Sequence, residues 1–179
     1  MREEKKLVKR CQLRDGKAFN KLYEKYAPVL FAICMRYGKN QAEAEDILQE
    51  SFLTIFNKIE TYRFEGSFEG WMKRITVNTA INLLRSKNHQ LYRIKSDEYD
   101  QVKFEGYDAI SKLNEEEILK CIQNLPVGYR TVFNLHVVEG YKHREIAELL
   151  MISENTSRTQ LGKARQALIK EMEKLGYKL

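Results

Sequence analysis

The sequence predicts an all-α protein: two helical domains joined by a flexible linker, the C-terminal one a helix-turn-helix. Three observations predict it. Apolar residues recur every three or four positions along most of the chain, the spacing that gives a helix one buried face. No stretch alternates apolar and polar residues over the length of a strand. The periodicity lapses in a polar run containing Asp97, Glu98, Asp100 and Asp108, then resumes at Leu113. The expected division is 1–90 and 112–179 for the domains and 91–111 for the linker.

The totals agree. A chain of 179 residues, at roughly 150 per domain, makes one domain or two small ones. Apolar content of 43% is enough for packed cores, while charged content of 31% and the lack of any apolar run near ~20 residues exclude membrane insertion. The start, MREEKKLVKR, has no signal-peptide core, so the expected location is the cytoplasm. The net charge of +6 permits a polyanionic partner. Its surplus lies in residues 1–90 and again in Glu154–Lys170, where four bases meet one acid. Cys11, Cys34 and Cys121 are isolated, as are His89, His136 and His143, so neither a disulfide framework nor a metal or other cofactor is expected.

Taken in order, Glu3–Arg14 reads as a basic amphipathic segment with Leu7, Val8, Cys11 and Leu13 inward, broken at Asp15-Gly16. Phe19, Leu22, Tyr23, Tyr26, Leu30, Ile33, Cys34 and Tyr37 mark the next helix, in which Pro28 removes a backbone donor and can introduce a kink, with Gly38 closing it. Asn40 caps a third helix, whose inner side runs from Ala44 through Ile47, Leu48, Phe52 and Ile55 to Ile59. Asp46, Gln49, Glu50 and Leu53 fall at i, i+3, i+4 and i+7 and share another face. Taken alone, such a strip is a solvated helix surface, but an outward Leu53 within it hints at a partner.

A loop follows, Glu60–Gly66, holding Tyr62, Arg63 and Phe64. Aromatic and basic residues interleaved this way can stack on unpaired bases, or fold onto their own core. Ser67 caps a long helix with Phe68, Trp71, Met72 and Ile75 on one side and Lys73, Arg74, Asn78 and Arg85 around the rest. After the linker, Ile118, Leu119 and Ile122 mark a helix packed beneath what comes next.

The stretch Leu125–Arg165 is the most specific part of the chain. Pro126 suits a first helical turn, followed by Val132, Phe133, Leu135 and Val137, with Gly140 ending the helix. A short helix with Ile146, Ala147, Leu149 and Leu150 inward leads through Met151-Ile152 to the N-cap Ser153, and then to a basic helix with Arg158, Thr159, Gln160, Lys163 and Arg165. Short helix, tight turn and basic helix is the plan of DNA-reading helix-turn-helix units.

Here the chain resembles a family. Leu125-Pro126, Phe133-Asn134-Leu135, Glu139-Gly140, Glu145-Ile146-Ala147, Ile152-Ser153 and Ala164-Arg165 resemble the C-terminal region of sigma factors, the specificity subunits of bacterial RNA polymerase, and most of all the extracytoplasmic-function (ECF) group. Two positions depart from its pattern: Met151 and Asn155 stand where the family usually has Gly. Asp46-Ile47-Leu48-Gln49-Glu50-Ser51-Phe52 resembles the family's polymerase-docking segment, and the run from Phe64 through Gly66-Ser67-Phe68, Trp71-Met72 and Arg74-Ile75 to Asn78 resembles the segment that opens and reads the −10 promoter element.

The resemblance implies a non-enzymatic protein whose partners are core RNA polymerase and promoter DNA, with transcription initiation as its function, and often an anti-sigma protein as a third partner. It implies polymerase docking by Asp46, Gln49, Glu50 and Leu53. It implies −10 contacts from Phe64, Phe68, Trp71, Arg74, Asn78 and Arg85, with Phe68 and Trp71 supporting the loop from beneath. For the −35 element it implies Arg158, Thr159 and Lys163 at exposed positions, supported by Gln160 and Arg165. Two other classes are weaker. A ligand-sensing helix-turn-helix regulator would lack the two matching N-terminal segments, and no nucleophile–base arrangement or Gly-rich phosphate loop supports an enzyme.

Overall fold

The structure, a computed structural model, describes residues 2–87 and 115–177. Among these residues all regular structure is helical. The expected linker at 91–111 lies outside the described residues. The chain divides into two compact units, Met1–Leu83 and Leu84–Leu179.

The first unit is built from α1 (Arg2–Gln12), α2 (Gly16–Tyr37), α3 (Gln41–Lys58), a 3-10 turn (Ile59–Thr61) and α4 (Phe68–Lys87) as far as Leu83. α2 packs along α3, and α1 packs on α2 and on the 3-10 turn. The core holds Val8, Cys11, Leu22, Leu30, Ile55 and Met72, all almost wholly buried. Ring pairs Phe19–Phe56 and Tyr23–Phe52, with centroids 4.5 and 4.6 Å apart, stitch α2 to α3. α2, α3 and α4 each start where local side-chain chemistry supplies a cap. Asp15 Oδ1 accepts from the amides of Lys17 and Ala18, Asn40 Oδ1 from Glu43, and Ser67 Oγ from Gly70.

One expectation needs correction in this unit. Leu13 is 81% exposed rather than inward: it lies past the end of α1 at Gln12, and two residues on from the buried Cys11 it falls about 200° round the helix axis. α2 runs as one helix through Pro28, an exposed residue flanked by the buried Tyr26 and Leu30.

The second unit holds α5 (Glu115–Gln123), α6 (Val127–Phe133) continuing into a π turn (Asn134–Val138), α7 (His143–Leu150) and α8 (Glu154–Lys174). α8 packs on each of α5, α6 and α7. Its core joins Cys121, Ile122 and Leu125 to Ala164, Leu168 and Met172. Arg130 is buried, and its Nη1 donates to the carbonyls of Gln123 (2.8 Å) and Leu125 (3.4 Å), so it closes the C-terminal end of α5. The π turn inserts an extra residue, with the Glu139 amide donating to the Asn134 carbonyl, and Val137 within it is 49% exposed. Gly140 at φ +77° then reverses the chain, the left-handed geometry expected of it.

Candidate functional site

Three surfaces carry the residues singled out in the sequence. The first is on α3. Asp46, Gln49, Glu50 and Leu53 are all exposed, Leu53 by 50%. Beside them, between α2 and α3, lies a groove of about 390 Å³ lined by Tyr23, Glu45, Leu48, Gln49, Phe52, Leu53 and Phe56. Tyr23 (45% exposed) and Glu45 therefore extend this surface. Helical spacing places Tyr23 on the apolar stripe of α2 but does not show that it lies at the rim of that stripe. An aromatic-floored groove with acidic residues alongside suits an apolar side chain flanked by bases.

The second surface is the loop between the 3-10 turn and α4. Tyr62 is buried, and its hydroxyl donates to the Gly66 carbonyl (2.9 Å), tying the loop across its own base. The Tyr62 ring touches three others: Phe64, Phe68 and Trp71, at centroid distances of 5.2, 5.0 and 5.4 Å. Phe64 holds a left-handed φ of 61°, uncommon for a bulky residue. Phe68 is 2% exposed and floors the loop, stacked on Trp71 at 5.6 Å. Arg74 is exposed, and Asn78 and Arg85 are half-buried. The separations 74–78 and 74–85 bring these three to one side of α4.

The third surface is the helix-turn-helix. Met151 ends α7 in the left-handed region, at φ 56° and ψ 44°. This is where the Gly of the usual pattern would sit without strain. Ser153 then caps α8, its Oγ accepting from the Thr156 amide at 2.9 Å. Arg158 is exposed and paired with Glu154 one turn earlier, and Lys163 and Arg165 are half-exposed. Thr159 and Gln160 are corrections, at 8% and 2% exposure. Gln160 turns into the unit, where a Cβ on Gly128 would lie 3.2 Å from its Oε1. A polar residue on a helix gives no sign in sequence that a glycine on another helix opens a slot for it.

The exposed Asn155 in the first turn of α8 joins the available groups, as does a buried link that spacing could not show: His143 Nδ1 lies 2.9 Å from Ser157 Oγ. The His143 ring stacks on that of His136 at 4.3 Å. Burial, then His136 and the Arg158 and Arg165 guanidinium groups, hold the His143 imidazole below its ordinary value, with Glu154 opposing.

The three thiols are free and buried. Burial pushes Cys11 up to about 11 and Cys34 up to about 12. Among the described residues no cluster of His, Cys, Asp and Glu could hold a metal ion, and no helix is long and apolar enough to cross a membrane.

Residues 22–90 match the Sigma-70 region 2 family model, and residues 115–168 match that of Sigma-70 region 4. The ECF RNA polymerase sigma-E factor of Haemophilus influenzae is 31% identical, over 94% of this chain and 95% of that protein. The ECF RNA polymerase sigma factor SigW of Bacillus subtilis is also 31% identical, over 96% and 97%.

The chain belongs to the ECF RNA polymerase sigma factors.

The fold of this sigma factor is similar to that of the Bartonella quintana sigma factor RpoE, solved in complex with the anti-sigma factor NepR. The TM-score is 0.52 at 17% identity, covering 88% of this chain and 98% of that one. The region 2 match takes in the α3 strip, the loop and α4, and the region 4 match takes in the helix-turn-helix. α1 precedes the first match.

Proposed function

We propose that this sigma factor grips core RNA polymerase with the acidic strip and groove of α3, reads the −35 element with α8, and opens the −10 element at the Tyr62–Ser67 loop. The single observation that carries the reading is the occurrence of both family regions in one chain, each bringing its own exposed surface.

The chemistry of each surface supports its role. Arg158 can pair bidentately with a guanine edge once it leaves Glu154, an exposed ion pair that costs at most ~1 kcal/mol to give up. Lys163 and Arg165 suit phosphate, and Asn155 at the start of α8 suits a base edge or a phosphate. At the loop, Phe64 offers a face for an extruded base with Phe68 and Trp71 supporting it from beneath, Asn78 a hydrogen-bonding edge, and Arg74 and Arg85 charge for the backbone. Extruding a base costs a few kcal/mol, which a fitted pocket offsets. The units on this reading are the docking and melting domain at 1–90, a connector at 91–111, and the −35 domain at 112–179. The protein acts in the cytoplasm, where the polymerase is, and carries out no chemistry of its own. An anti-sigma protein is a further partner on the same reading, one that the Bartonella quintana complex supports by fold alone.

Reconstitution with purified core polymerase on fragmented genomic DNA tests this. The expected result is initiation at a small set of start sites that share upstream elements and are absent with core alone. A mixture that initiates no differently from core alone contradicts the proposal.

A further inference from the structure

We infer that α1 is the positioning element of the −10 loop, and that it acts through Gln12 and Lys5. The inference rests on the assignment of that loop to −10 recognition.

The observations converge on the loop from one helix. Gln12 Nε2 donates to two carbonyls, Ile59 O at 3.1 Å and Tyr62 O at 3.0 Å, across sequence separations of 47 and 50 residues. These carbonyls bracket the point where the chain leaves the 3-10 turn and enters the loop. Both amide protons of Gln12 are thereby used. Two residues further on, Arg14 Nη1 donates to the Phe56 carbonyl (3.1 Å) and Nε pairs with Glu60 Oε1 (2.7 Å), fixing the stem below. At the other end of α1, Lys5 Nζ lies 5.3 Å from the centroid of the Phe64 ring. Glu4 accepts from the Tyr26 hydroxyl at 2.6 Å, and the Tyr26 ring meets Phe68 at 6.0 Å. α1 thus touches the entry of the loop and its tip, and reaches its floor through Tyr26 of α2.

A positioning role follows from what the loop requires. Phe64 sits in a backbone region that a bulky residue holds only when its surroundings over-determine it. Recognition of an extruded base tolerates only about 0.5 Å of error in the groups that receive it. Gln12 and Lys5 supply fixing contacts and do not themselves face DNA in this account. Sequence spacing cannot reveal this role, since a Gln at the end of an amphipathic helix reads as a solvated residue.

The test uses holoenzyme reconstituted from core polymerase and the full chain. The probes are a single-stranded non-template −10 oligonucleotide, selected from a random pool by the wild-type holoenzyme, and the same strand with its selected bases swapped. Gln12→Glu keeps the shape but removes both donated bonds. The ratio of the two affinities should fall about tenfold, the size expected from two ordinary hydrogen bonds. Affinity for core polymerase and the salt dependence of DNA binding should stay unchanged. Trp71, the single tryptophan, lies 5.4 Å from Tyr62, so its emission should report the altered loop.

Lys5→Met changes an exposed residue, so it reads the same ratio even if Gln12→Glu fails to fold. It should lower the ratio by a smaller factor, and Lys5→Arg, which keeps the cation over the ring, should restore it. An unchanged ratio in the folded variants, or an equal loss on both oligonucleotides with a shallower salt slope, overturns the inference. A wild-type holoenzyme that does not prefer one oligonucleotide overturns the −10 assignment itself, and the inference with it.

Discussion

Met151 shows how one residue records a departure from a family pattern in backbone energy. At φ 56° and ψ 44° it holds a left-handed conformation that costs a side-chain-bearing residue about 1–2 kcal/mol, and its side chain is 76% exposed, so little packing offsets the strain. Met151→Gly should therefore stabilise the second unit, by roughly 0.5 kcal/mol once the greater freedom of glycine in the unfolded chain is subtracted. Chemical denaturation would read this as a higher midpoint. Gly128 is the opposite case. An added methyl would press on Gln160, whose amide is buried and has little room to withdraw, so Gly128→Ala should destabilise by about 1 kcal/mol. Arg158→Ala should cost ~1–3 kcal/mol of promoter affinity and relax preference at one base pair of the −35 element, read by binding to a panel of single-base variants. Equal loss on every variant would show that Arg158 meets only phosphate. The residues whose roles could be read in sequence are those that act locally: Asn40, Ser67 and Ser153 cap the helices they precede. Gln160, Gln12 and His143 could not be read, because their partners lie on other elements.

Helix periodicity predicted each helix of the first unit, since each buries one continuous apolar stripe against its neighbours. It failed at Leu13, which lies past the last residue of α1, where the helical period no longer decides which way a side chain points. The junction of α7 with α8 also carries a titratable link. The fold prefers the neutral form of His143, which is half-buried, stacked on His136 and close to Arg158 and Arg165, with Glu154 opposing. Its folded value lies below its unfolded one. The stability it contributes is therefore complete above the unfolded value near 6.5 and is lost as the pH falls through the folded value. The unfolding transition of this unit in calorimetry should weaken as the pH falls below about 6.5, and His143→Gln should weaken less over the same range. Equal weakening would assign the acid sensitivity to other groups.

At the scale of the molecule, the proposed reading gives two helical units surfaces that serve one process: a docking face and a loop on the first, a DNA-reading helix on the second. That reading could be drawn from the order of the segments in the sequence, because each is a contiguous motif. The groove beside the docking strip was not, because Tyr23 and Leu53 meet only when α2 lies along α3. The account depends most on that face, since a sigma factor that cannot hold the polymerase cannot place it on a promoter. Asp46→Arg combined with Glu50→Arg sets like charges against a basic partner, at a cost of several kcal/mol, while altering two exposed positions on α3. The measurement is pull-down of core polymerase by the double variant, with helical circular dichroism alongside. The account predicts an unchanged dichroism spectrum and no core polymerase retained, and full retention of core polymerase would contradict it.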